Sequence, residues 1–274
     1  MTRVTFRLKV DQMRSFMWFP EAVVRGALGY YWKSCGEKFS GLYALFFGME
    51  RNVDSSGNLI ATPPRGARIV ITRATSSEDC ADLELTLFGN NADKVPLFAT
   101  SLQALGREGI GEECVHFEVV GEGEIKSGLL QDFLSPEPQP LSKSCKLTLE
   151  APMTLRKFGG EFLYRWDTVS FACNLVQRAV QLNQFYGTGE MLDWDVEGLS
   201  LDFRNVYSWS DTHRQERCRI SSRQRKHVDY SGFCGVIFLH DVTRENYTLL
   251  RIGEQIAVGK NTVFGSGGYK LESV

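Results

Sequence analysis

LLRIGEQIAVGKNTVFGSGGYKL, residues 249–271, decides the fold. It reads as the end of a helix over 244–257, then a glycine-rich loop, then a closing strand over 264–271. The order matters. A P-loop or a dinucleotide fingerprint follows a strand and opens a helix, so neither fits. Gly259, Gly265, Gly267 and Gly268 instead offer positive φ and close backbone approach to a bulky partner, with Lys260 adding charge. A tight connection that uses its glycines only to relieve strain is the plainer alternative.

Upstream of this stretch the order can be read backwards to a strand. Residues 146–155 read as a strand and 169–185 as a helix, with Leu175, Ala179 and Leu182 on one face. Residues 199–207 and 233–240 read as strands. The series is strand, helix, strand, strand, helix, strand, which is the ferredoxin-like βαββαβ unit.

The first half fits the same series. VTFRLKV, residues 4–10, alternates as a strand. Pro20 opens an amphipathic helix, PEAVVRGALGYYWKSC. A short apolar helix over 41–48 and a break at Pro63-Pro64 form an insertion spanning 36–66. Residues 68–73 and 83–88 read as strands, 94–105 as a helix ending at Gly106, and 113–120 as a strand. SPEPQP, residues 135–140, marks the boundary between a domain at 1–134 and one at 141–274. The expected class is α+β, with two tandem ferredoxin-like domains.

Composition narrows the function. The chain has 274 residues, 43% hydrophobic and 23% charged, which is the balance of a soluble globular protein. No apolar run approaches the roughly 20 residues of a membrane span. The N-terminus lacks a signal-peptide pattern. The 7 cysteines stand singly, without a C-x2-C pair, so a zinc ribbon is not indicated and reduced cytoplasmic thiols are. Net charge is only −2, but residues 213–226 hold five arginines and Lys226 against Glu216 alone. Such segregation can draw a polyanion to one face, although charge runs are also ordinary solvated surface.

Several segments, in order, resemble the RAMP superfamily of CRISPR-associated proteins. They are VVRGALGYYW, ALGREGIGEECVHFEV, LTLEAPMTLRKFGGEF, NLVQRAVQLNQFYG, CRISSRQRKHVDYSGFCGVIF and the opening stretch. Together they touch nearly the whole chain. The resemblance implies an RRM-like fold and a pre-crRNA-processing endoribonuclease. It further implies cleavage without metal or other cofactor, by attack of a 2′-hydroxyl on the adjacent phosphate. The implied partners are a CRISPR repeat RNA hairpin and other CRISPR effector-complex subunits, with no membrane.

Two departures from the family pattern stand out. Relatives supply a histidine from the first-helix region, and this chain has none there. Ala257 stands where a second histidine precedes the last loop. Arg25, Tyr31 and Lys38 are the catalytic candidates that remain, and a reliance on arginine resembles the divergent type IV branch. Arginine stays charged and makes a poor base, but it holds phosphate oxygens bidentately. Arg25 could equally pack structurally between helix and sheet. Arg217, Arg219, Arg223, Arg225 and Lys226 are the RNA-binding candidates, with Gly259, Lys260, Gly265, Gly267 and Gly268. Alternate arginines would share a face of an extended hairpin, whereas a helical finger would spread them. His213 and His227 flank this cluster, and His116 and His240 read as structural. The missing histidines also suit a non-catalytic RAMP subunit that binds crRNA. A tandem module for a small ligand is a third possibility, against which the basic cluster argues.

Overall fold

The computed structural model describes residues 1–17, 20–48, 63–73, 79–134, 143–157, 160–187, 198, 202–221 and 226–274, without the side chains of 73, 219–221 and 226–228. Two compact units emerge, Met1–Leu129 with Phe185–Gly189, and Leu130–Gln184 with Glu190–Val274. The proline-rich segment read as the boundary lies outside the described residues.

In the first unit β1, Thr2–Val10, buries Val4, Phe6, Leu8 and Val10 on one face and leaves Thr5, Arg7 and Lys9 on the other. The alternation is what a half-buried strand requires. Pro20 opens α1, Pro20–Ser34, and α2 follows at Ser40–Phe47. β2 is Ala67–Arg73, β3 Cys80–Leu87, α3 Val95–Glu108 and β4 Phe117–Glu122. The strands pair antiparallel in the order β2-β3-β1-β4. Under this sheet Phe6 meets Phe98 at 5.7 Å, and Phe46 meets Trp32 at 5.1 Å. Trp32 is buried and donates its Nε1–H to Ser101 Oγ at 2.8 Å, so the indole enters the core with its polar atom satisfied.

The second unit repeats the plan. β5 is Cys145–Leu149, α4 Thr168–Tyr186, β6 Tyr207–Gln215, β7 Cys218–Ser221 and β8 Lys226–Asp229. β9 is Gly232–His240, α5 Arg244–Ile256 and β10 Tyr269–Ser273. The sheet order is β10-β5-β9-β6, all antiparallel, so both units have the order fourth, first, third, second. The fold is therefore two tandem ferredoxin-like units. Gly253 of α5 makes room for the buried Tyr269 ring, whose phenol donates to Leu250 O at 2.5 Å. Among the described residues no helix is long and apolar enough to cross a membrane.

Several boundaries differ from the sequence reading. α3 runs past Gly106 and ends at Gly109, whose φ of 82° turns the chain. Gly106 is needed instead for packing, since a Cβ there would lie 2.1 Å from Phe117 O. The expected strand over 113–120 begins only at Phe117, after a turn in which Cys114 has φ 51°. The expected strand over 146–155 stops at Leu149, because Pro152 has no N–H for a ladder. Leu155–Arg156 pairs instead with Phe162–Leu163. Phe203–Asn205 forms a 3₁₀ turn, and the strand read over 199–207 starts at Tyr207. The closing strand starts at Tyr269 because Thr262–Phe264 forms a further 3₁₀ turn.

Burial pushes the Cys145 thiol up to about 12, while Cys35, Cys114 and Cys218 are exposed. The thiolate is the reactive form. Iodoacetamide at pH 8 is therefore expected to label those three and spare Cys145 until the chain is unfolded in denaturant. Labelling of native Cys145 at a comparable rate, read by peptide mass spectrometry, would contradict this packing.

Candidate functional site

Arg25, Gly29 and Lys33 recur at i, i+4 and i+8, so they form one stripe along α1. Gly29 leaves a gap on that stripe that the Phe47 ring fills, and a Cβ there would lie 2.4 Å from Phe47 Cζ. The Arg25 guanidinium lies over Phe47 at 4.0 Å, and its Nη2 donates to Phe46 O at 2.8 Å. Phe47 in turn stacks on Tyr43 at 4.6 Å, and Lys33 Nζ sits 5.4 Å from the Tyr43 ring. The result is a cation–ring–ring–cation ladder. The carbonyl that Arg25 grips belongs to the C-terminal turn of α2, where the helix dipole favours a cation.

Arg65 joins the same place. A Cβ on Gly48 would lie 1.5 Å from Arg65 Nη1, so only glycine admits this guanidinium beside the end of α2. Burial pulls the Arg65 pKa down, while Tyr186 and Tyr43 push it back up. It remains a cation at any working pH. The sequence reading missed Arg65, since Pro63-Pro64 read only as a break.

Tyr31 and Lys38 form a different cluster. Six residues are about one and two-thirds turns, so Tyr31 lies on another face of α1 from Arg25. Its ring packs on Phe39 at 5.7 Å, and Lys38 Nζ lies 5.7 Å from the same Phe39 ring. Burial, then the Cys35 thiol, raise the Tyr31 pKa above its ordinary value. The phenol is thus a neutral proton donor at neutral pH rather than a base.

Of the basic cluster, the described strands β7 and β8 pair antiparallel as the two arms of a hairpin. Cys218 pairs with Asp229, Arg219 with Val228, Ile220 with His227 and Ser221 with Lys226. Arg219 and Lys226 are placed by backbone alone. Arg223 and Arg225 lie outside the described residues. The base of the hairpin is pinned. Tyr230 N donates to Arg217 O at 2.8 Å, and Arg217 N donates to Ser231 Oγ at 3.1 Å. Asp229 accepts from Ser231 N at 2.7 Å and from Tyr164 Oη at 3.1 Å. Hydrogen bonding to Ser231 lowers the Asp229 pKa against the opposing effect of burial. Arg214 lies over the Tyr164 ring at 4.9 Å.

The glycine loop packs on its own chain. Gly267 N donates to Pro152 O, Val258 N to Gly267 O and Lys260 N to Thr154 O. Gly265, Gly267 and Gly268 are buried, while Lys260 is exposed and carries its Nζ 4.1 Å from the Phe162 ring. The glycines thus shape the loop and Lys260 faces outward. Ala257 is fully buried with φ 59°, so its side chain packs inside the fold. His116 spends its Nδ1 on Arg107 O at 3.1 Å, and His240 spends its own on Ser144 Oγ at 2.9 Å.

Comparison with known proteins gives the geometry a setting. Residues 147–269 match the family model of the CRISPR-associated endoribonuclease Cas6, and residues 1–131 match a model described as an N-terminal domain. A Cas6 product complex is 12% identical with a TM-score of 0.65, over 99% of this chain and 98% of that one. A Thermus thermophilus Cas6 is 12% identical with a TM-score of 0.59, over the same 99% and 98%. A second Cas6 product complex is 17% identical with a TM-score of 0.54, over 100% of both chains. At these identities the structures speak to the fold. No curated protein matches the chain.

Proposed function

We propose that this chain, a member of the CRISPR-associated Cas6 endoribonuclease family, cuts CRISPR repeat RNA without a metal ion and stays bound to the hairpin product. The observation that carries the reading is the Cas6 match over 147–269, on a chain that shares its tandem fold with Cas6 structures along its whole length.

In the proposed reaction the 2′-oxygen of one nucleotide bonds to the adjacent phosphorus and the P–O5′ bond breaks. A 2′,3′-cyclic phosphate and a 5′-hydroxyl result, so one proton leaves the 2′-hydroxyl and one reaches the 5′-oxygen. The transition state gathers negative charge on the phosphate oxygens, and fixed cations lower its energy. Arg25 is assigned that role, with Lys33 and Arg65 beside it. Tyr31 and Lys38, gathered around Phe39 on another face of α1, are assigned to contacts with the RNA away from the phosphate held at Arg25. Arg217, Arg219, Arg223, Arg225, Lys226 and Lys260 are assigned to the hairpin phosphates. The buried Gly265, Gly267 and Gly268 act through the shape of the loop, as does Gly259. The arginine-based chemistry and the type IV affiliation belong to this proposal. So do a place beside other CRISPR effector subunits and the domain limits 1–134 and 141–274.

The test is incubation with the cognate repeat RNA in excess EDTA. Cleavage to a product with a 2′,3′-cyclic end is expected. Tight hairpin binding with no cut at any enzyme excess would instead establish a non-catalytic crRNA-binding subunit, the reading that the missing histidines favour.

A further inference from the structure

The open face of the second sheet carries aromatic side chains that the proposed reaction does not use. On β6 Tyr207, Trp209, Asp211 and His213 are exposed. Ser208 turns the other way, meeting Trp166 Nε1 at 3.2 Å and Thr168 Oγ1 at 2.8 Å at the start of α4. On β9, Phe238 is the register partner of Trp209, and His240 that of Tyr207. The Trp209 and Phe238 rings are 5.4 Å apart and tilted by 41°, and those of Tyr207 and His240 are 6.0 Å apart at 35°. Trp209 remains 53% exposed and Tyr207 64%. The two pairs repeat about 6.8 Å apart along the strands.

The surroundings favour a nucleic-acid base over a protein. Phe238 faces Lys146 in register across β5, and Lys146 is held by Glu272 at 2.7 Å. Lys270, Asp211 and His213 complete a polar rim. A protein interface of ordinary size buries about 800 Å² on each side around an apolar centre, and these rings are an island too small for that. The same face of the first sheet is furnished otherwise, with Arg7 on Asp82 at 2.9 Å and Arg3 on Glu84 at 3.6 Å. The platform thus belongs to the second unit and is not a by-product of the fold. It also continues along β6 through Asp211 and His213 toward the strands of the basic cluster.

We propose that this face holds two bases of single-stranded RNA flanking the repeat hairpin. Trp209 with Phe238 stacks one base and Tyr207 with His240 stacks the next, while Lys146 and Lys270 lie beside the phosphates. Aromatic side chains on an RRM sheet stack bases in this way. The inference rests on the reading of this chain as a repeat-RNA enzyme.

The experiment measures affinity of the full chain for three RNAs: the bare repeat hairpin, the hairpin with its single-stranded flank, and an unstructured oligonucleotide of the flank sequence alone. Trp209→Ala with Phe238→Ala is expected to weaken the flanked and unstructured RNAs on the order of tenfold or more. The bare hairpin and the slope of affinity against salt should change little, because stacking releases no counterions. Trp209→Phe should retain most of the affinity, which separates loss of the ring from loss of folding. Equal weakening on all three RNAs, or none on the flanked RNA, overturns the proposal. So does a change in oligomeric state with unchanged RNA affinity, which would make the face a protein interface. The unstructured oligonucleotide keeps the outcome independent of cleavage, so a failed cleavage assay and a failed platform are told apart.

Discussion

Arg25→Ala is expected to slow single-turnover cleavage of the repeat hairpin by about a hundredfold or more and to leave hairpin affinity nearly intact. The size is that of removing one fixed donor from a developing oxyanion. The guanidinium already has partners in the free protein, Phe46 O at 2.8 Å and the Phe47 ring at 4.0 Å. Those contacts fix the orientation of the planar fork. Losing them removes a hydrogen bond and a cation–π contact, together about 1–2 kcal/mol of stability. Urea unfolding must therefore accompany the kinetics. Arg25→Lys keeps the charge but not the planar fork, and an intermediate rate is expected of it. If Arg25→Ala loses affinity and rate in equal measure, Arg25 binds or folds and does not stabilise the transition state. If the rate is unchanged, the stripe along α1 is not the active site.

The fold was legible where local signals agreed. β1, α1 and β9 follow from alternation, a first-turn proline and a β-branched aromatic run. The errors fell where tertiary packing set the answer. Gly106 read as a helix stop but is a contact with Phe117 O, and no single-sequence signal tells those apart. Pro152 broke a strand that hydrophobicity alone would continue. Of the candidate site, Arg25 is legible as a candidate from its place on the first helix, but its packing partners Tyr43 and Phe47 lie on α2, which reads only as an apolar helix. Arg65 follows a masking pair of prolines. Tyr31 and Lys38 looked like neighbours of Arg25 in sequence, whereas helix geometry gives them a different face. The platform on β6 was hidden because alternation there puts aromatics outward, the reverse of the usual pattern.

Gly267→Ala is expected to destabilise the second unit by about 3 kcal/mol or more. A Cβ at this position would lie 1.9 Å from Val258 O, and φ is 73°. The neighbour is backbone, so no side chain can swing aside. Relief requires breaking the bond from Val258 N to Gly267 O or the one from Gly267 N to Pro152 O. Gly36 supplies the comparison. Its φ is 78°, yet nothing lies within 4 Å of its Cβ position. Gly36→Ala therefore carries only the left-handed strain, about 1 kcal/mol. The difference between the two variants in denaturant unfolding isolates the close backbone approach from the strain they share. It also decides what the glycines are for. If they exist to let RNA come near, Gly267→Ala should unfold like wild type and bind repeat RNA poorly. If they exist to fold the loop over residues 152–154, stability should fall first, and the wild-type affinity should persist in whatever fraction remains folded. The buried position of Gly267 and its backbone partners predict the second result.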